Sequence, residues 1–125
     1  VRAVVSVAAF SSWKAIAGRY LGPFGRALTA RGVDAEHCAA RLGSRPLLLV
    51  HADGDRVVPP AHAEAIHISA IEAGVPCELL SPRASGHTIV ATRKVIQRAI
   101  AEFFDTAFAT EMDTTPAAAR MGEYE

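Results

Sequence analysis

The chain has 125 residues, half of them hydrophobic, with 13 basic and 13 acidic side chains and a formal net charge of zero. That length suits one domain with a core of its own, and that hydrophobic share excludes disorder for the main body. Balanced charge gives no general pull toward nucleic acid or an anionic membrane, and no apolar run reaches membrane-spanning length.

Residues 3–9, AVVSVAA, are apolar almost throughout, and the valines predict a strand buried on both faces. The run begins almost at the first residue. There is no initiator methionine and no signal-peptide pattern in VRAVVSVAAF, so the start reads as a cut through a larger protein. Trp13, Ile16, Ala17, Tyr20 and Leu21 then recur at helical spacing until Gly22 and Pro23 interrupt. A second short helix is predicted over 24–30. Asp34 is placed to cap a helix running to about Leu42, with Gly43 ending it.

LLLVH, residues 47–51, is the second buried strand. Pro59 and Pro60 mark the start of a helix over 61–73, predicted to turn Ala61, Ala65, Ile68 and Ile71 toward the sheet and to stop at Gly74. CELL, residues 77–80, is the third strand. After the loop SPRASGHT, the residues Val95, Ile96, Ala99, Ile100, Phe103, Phe104 and Ala107 draw one wide apolar stripe from about 91 to 108. That is the strongest helix signal in the chain. The tail, 109–125, contains TTPAAA and has no periodicity, so it reads as a flexible or partner-contacting arm.

Alternating strands and helices imply parallel strands with right-handed crossovers, a three-layer α/β fold. With three strands, both outer edges are open. Only Arg2 and Ser6 blunt the first strand, so the sheet reads as incomplete on its own.

In parallel α/β sheets, sites form at the carboxyl ends of the strands. Asp53 and Asp55 follow the second strand, and His87 follows the third. One crossover joins those strands, so they should be neighbours and an acid and an imidazole could meet. A carboxylate bonded to one ring nitrogen fixes the tautomer and leaves the other nitrogen free as a base. Gly86 permits the backbone turn that points His87 into the cleft. Plainer readings stand beside these: Asp55 as a helix cap, Asp53 as the rival acid, His87 as a loop histidine satisfied by water or backbone.

His51 reads as structural. His62 and His67 lie five apart and do not share a helix face, so no metal pair is expected. GPFG at 22–25 lacks the strand and lysine of a phosphate loop, and no cofactor is called for. Cys38 and Cys77 fit no metal or redox spacing. As free thiols they favour a reducing, cytoplasmic setting.

Residues 51–59, H-A-D-G-D-R-V-V-P, are followed by a helix, a strand and then Gly86–His87 before the last helix. This order resembles the C-terminal half of the α/β-hydrolase family, whose pattern is H-G-x-x-D-x-x-V-P. The resemblance covers residues 1–108, from the family's sixth strand to its final helix, with Ala52 where the glycine is usual. It implies Asp55 as triad acid and His87 as triad base, with Phe10, Trp13 and Val58 around the acyl pocket. It also implies acyl hydrolysis of a small-molecule ester, thioester or amide by a serine-hydrolase-type enzyme. The short connection between the first two strands leaves room for only a small lid, hence an open pocket and a modest or peptide-like substrate.

No G-x-S-x-G occurs in the sequence. In the family that nucleophile elbow and the oxyanion loop precede the first residue here. The serine is therefore expected from an N-terminal hydrolase half or a second chain. The alternatives are a non-catalytic interaction protein on the same scaffold, or a dehalogenase-like relative with an aspartate nucleophile.

Overall fold

The computed structural model of the protein describes residues 1–29, 34–87 and 89–113. Its centre is the apolar run LLLV, which forms strand β2, Leu47–Val50, with all four side chains buried. Strand β1, Val4–Val7, pairs with it in parallel from Val4↔Leu47 to Val7↔Val50. Strand β3, Cys77–Leu80, pairs on the other side from Leu47↔Cys77 to Val50↔Leu80. The sheet order is β1-β2-β3.

Side chains alternate between the two faces of a strand, so each face of β2 anchors its own core. On one face Leu47 and Leu49 meet Ala39 of helix α2, Ala35–Ala39, and Ile66 and Ala70 of helix α3, Ala61–Glu72. On the other, Leu48 and Val50 meet Ile96, Ile100 and Phe103 of helix α4, Lys94–Asp113. Burying each such leucine stabilises the fold by roughly 1.5–3 kcal/mol. The result is the three-layer parallel α/β sheet the sequence predicts, with β1 and β3 as its outer strands.

Helix α1 spans Trp13–Leu28 and starts at Ser12, whose hydroxyl accepts from the Ala15 amide at 3.1 Å. It breaks at Gly22, with φ 59° and ψ −148°, just before Pro23. The proline has no amide to continue the helical ladder, and the glycine tolerates the left-handed turn, so two helical pieces result as expected. The predicted end of the second piece, residue 30, lies outside the described residues.

Several expectations need correction. Strand β1 is half-buried along its length rather than buried on both faces, because it is an outer strand with a partner on one side only. Helix α3 buries His62, Ala63, Ile66 and Ala70, while Ala61, Ile68 and Ile71 are exposed. Apolar side chains surround this helix, so periodicity could not choose the face. The small Ala63 and Ala70 let it sit close to the sheet. Asp34 occupies the cap position of α2, but its carboxylate serves α1, accepting from the Trp13 amide at 3.2 Å. A short 3₁₀ turn, Ile89–Thr92, precedes α4, and Val95 at the start of the predicted stripe is exposed. Helix α4 continues to Asp113, so residues 109–113 of the tail expected over 109–125 are helical, and the rest of that tail lies outside the described residues.

Ala8, just past β1, has φ 54°, a left-handed conformation costing a non-glycine residue about 1 kcal/mol. Its amide still bonds the Val50 carbonyl at 2.9 Å, so the turn off the sheet happens directly above β2. No helix among the described residues is long and apolar enough to cross a membrane.

Candidate active site

Strands β2 and β3 end side by side at Val50 and Leu80. The chain leaving β2 turns at once, with the Asp55 amide bonding the Ala52 carbonyl at 3.3 Å. The turn swings the Asp55 carboxylate inward, leaving the residue 4% exposed. Its Oδ1 accepts from the amides of Val57 and Val58, each at 2.9 Å. Its Oδ2 lies 2.8 Å from His87 Nδ1 and 3.4 Å from His51 Nε2. Burial alone would push the Asp55 pKa up. The bond from His87, the amides of Val58 and Val57 and the imidazole's charge outweigh it and hold the group below its ordinary 3.8. Asp55 is therefore a carboxylate at neutral pH.

His87 reaches this carboxylate from the loop after β3. Gly86 has φ 130°, a conformation open essentially to glycine alone, and it turns the next residue's ring toward the acid. His87 is half-buried. With Asp55 ionised, Nδ1–H is the donor of the 2.8 Å bond, which leaves Nε2 with its lone pair free. The arrangement can accept a proton at Nε2 and stabilise the resulting imidazolium through the carboxylate behind it. Asp53, the rival acid, is exposed and turns elsewhere: its Oδ1 accepts from the Ala84 amide at 3.0 Å.

The model of the prolyl oligopeptidase family matches residues 2–111. The chain belongs to that family, of the α/β-hydrolase type. Among solved structures it is similar to esterase PE8, at 30% identity and a TM-score of 0.44, over 57% of this chain. It spans 33% of that esterase's length. No curated protein matches it.

Phe10 and Trp13, expected near an acyl pocket, do come together, edge to face at 4.8 Å between centroids, just beyond the end of β1. Val58, expected with them, is buried, and both of its backbone groups are hydrogen-bonded. Its amide holds Asp55, and its carbonyl accepts from His51 Nε2–H at 2.8 Å. His51, 1% exposed, thus fills the structural role its position predicts, and its Nε2 also lies 3.4 Å from Asp55 Oδ2, the oxygen that His87 bonds. Its Nδ1 has no hydrogen bond among the described residues.

A second buried pair lies nearby. Ser11 Oγ is 3.0 Å from His62 Nδ1, and the Ser11 amide donates to the same nitrogen at 3.2 Å. A nitrogen that accepts an amide must be unprotonated. Burial, followed by the charges of His51 and Arg19, keeps the His62 pKa below 6.5, in agreement with a neutral ring. The pair ties the segment after β1 to the start of α3. Fifty-one residues separate the partners, and no local pattern in the sequence announces them. The Tyr20 hydroxyl donates to the Val57 carbonyl, and the Arg19 guanidinium to the Arg56 carbonyl at 3.4 Å, so α1 is tethered to the acid's loop.

No cluster of three or more metal-ligating side chains occurs among the described residues. His67 turns its Nε2 toward the Cys77 carbonyl at 3.3 Å. Burial, with Glu78 adding to it, pushes the Cys77 thiol up to about 11, so it is no thiolate nucleophile at neutral pH. Cys77 also sits at the amino end of β3, opposite the acid and the imidazole.

Proposed function

We propose that this chain supplies the acid and base of a serine-hydrolase-type triad, with Asp55 as acid and His87 as base. The observation that carries the reading is the 2.8 Å bond between Asp55 Oδ2 and His87 Nδ1, held by a carboxylate that also accepts two backbone amides. Membership of the prolyl oligopeptidase family supports the same chemistry. The nucleophilic serine belongs to an N-terminal hydrolase half or a partner chain. The substrate is a small ester, thioester or amide, peptide-like in size, seated near Phe10 and Trp13.

As the serine oxygen attacks the substrate carbonyl, His87 Nε2 takes the hydroxyl proton. Asp55 stabilises the imidazolium without taking a proton itself. When the tetrahedral intermediate collapses, His87 returns the proton to the leaving alcohol, thiol or amine. Water then repeats the sequence on the acyl-enzyme, using the same base and returning the serine hydroxyl. The oxyanion donors belong with the serine, outside these residues.

The test uses the assembled protein, with the part that carries the serine. It should hydrolyse a p-nitrophenyl ester and be labelled by a fluorophosphonate, with the label outside residues 1–125. His87→Ala should abolish both. Labelling of a serine within this chain, or full turnover by His87→Ala, would contradict the reading.

A further inference from the structure

The acid and base stand on two different loops, so their 2.8 Å bond depends on how those loops are held together. Three hydrogen bonds join the loops next to the pair. The Asp53 amide donates to the Pro82 carbonyl at 3.2 Å, and the Gly54 amide to the Ala84 carbonyl at 3.1 Å. The Ala84 amide returns a bond to Asp53 Oδ1 at 3.0 Å. Both backbone groups of Ala84, three residues before His87, therefore bind the two residues that precede Asp55.

The third bond differs in kind from the other two. The first two are backbone-to-backbone bonds that take no side-chain acceptor. The third needs an acceptor on the side chain of residue 53. Without it, the Ala84 amide loses its partner on the acid loop.

Gly54 shows how closely the loops approach. A Cβ at this position would lie 2.8 Å from the Ala84 carbonyl oxygen, a backbone atom that cannot swing aside. Any larger residue must push the base loop away from the acid loop. Behind the loop, the side chain of Ala84 packs against the core of Leu48, Val50 and Ala52. On its outer side, Arg93 Nη1 donates to the Arg83 carbonyl at 3.1 Å. The loop is thus gripped on three sides, and besides Asp55 itself, bonded to His87, Asp53 is the acid-loop side chain that holds it among the described residues.

We infer that Asp53 is a positioning residue: its carboxylate, bound to the Ala84 amide, sets the height of the His87 ring over Asp55, with Gly54 providing the close approach. The inference rests on the proposal that Asp55 and His87 act as acid and base. It gives Asp53 a task distinct from the triad-acid role for which its position makes it a rival. Asp53 touches no reacting atom, so it acts through geometry alone. Misplacing a catalytic group by about 1 Å can cost up to roughly a hundredfold in rate.

The experiment compares Asp53→Ala, Asp53→Asn and Gly54→Ala in the assembled enzyme, with His87→Ala beside them. Asparagine keeps the acceptor oxygen and removes the charge. Asp53→Ala should lower kcat roughly tenfold with KM and Tm unchanged. Asp53→Asn should restore kcat to within about twofold, and Gly54→Ala should lose at least as much as Asp53→Ala. Asp53→Ala with wild-type kcat overturns the inference, as does an equal loss in Asp53→Asn, which would assign the effect to charge. A parallel fall of Tm and kcat in Asp53→Ala would assign it to folding and overturn it too. Full activity in His87→Ala sinks the acid–base reading itself, so the two failures are told apart.

Discussion

The loops leaving β2 and β3 and the segment leaving β1 all start from the same end of the sheet, yet they are held in opposite ways. The two loops are bound to each other through Asp55–His87, Asp53–Ala84 and Gly54–Ala84, over a buried carboxylate. The β1 segment enters helix α1 by way of Ser11–His62 and Trp13–Asp34, then turns Trp13, Tyr20, Leu21 and Phe24 to solvent. Midway along the helix, Arg19 and Tyr20 reach the acid loop through side-chain-to-carbonyl bonds. The acid–base role proposed for this pair needs a fixed geometry, and a dense polar network supplies it. An apolar surface beside such a pair has no need of that rigidity, and here it is left open.

Breaking the loop pair should have the largest effect. Asp55→Asn leaves the two backbone bonds intact but loses the charge and favours the wrong imidazole tautomer, so kcat in the assembled enzyme should fall about 10⁴-fold. Steady-state kinetics on an activated ester checks this. Next comes the floor on which both regions rest. Leu49→Ala should destabilise the chain by about 2–5 kcal/mol, read by chemical denaturation, since Leu49 is buried against Ile66 and Ala70.

The two regions should also part company in acid. His62 has its folded pKa below the unfolded 6.5, so the unfolded chain takes up that proton first. Stability from the Ser11–His62 anchor is full above 6.5 and is lost as pH falls from there toward the folded value. Asp55 also has a lowered folded pKa, but its contribution is full above 3.8 and is lost only as pH falls below that. Denaturation followed from pH 8 to 3 should therefore show two limbs, and His62→Gln should flatten the upper one alone. The smallest effects belong to α1. Tyr20→Phe removes one hydrogen bond to Val57 and should cost about 1 kcal/mol or less. Phe24→Ser, at a site 78% exposed, should change stability by no more than about 0.5 kcal/mol.

What the sequence makes legible follows the same division. The three strands, the break at Gly22–Pro23 and the meeting of Asp55 with His87 can all be read, because each rests on a local signal: an apolar run, a helix breaker, a motif at a strand end. The buried face of α3 cannot be read, because apolar residues encircle that helix and only the sheet decides which of them it covers. Nor can Ser11–His62 or Asp53–Ala84. These are single polar contacts between distant residues, set by where the loops pass in space. Asp34 has a correct address and an unexpected partner for a related reason: a capping carboxylate bonds whichever unsatisfied helix amide lies closest, and here that amide belongs to α1.

The most direct measurement is the nitrogen and proton NMR spectrum of the His87 imidazole at neutral pH, in the wild type and in Asp55→Asn. The account predicts a protonated Nδ1 with a downfield proton that disappears or moves sharply upfield in the variant, and an unprotonated Nε2. A ring protonated at Nε2, or an Nδ1 proton indifferent to the loss of the Asp55 charge, would contradict it.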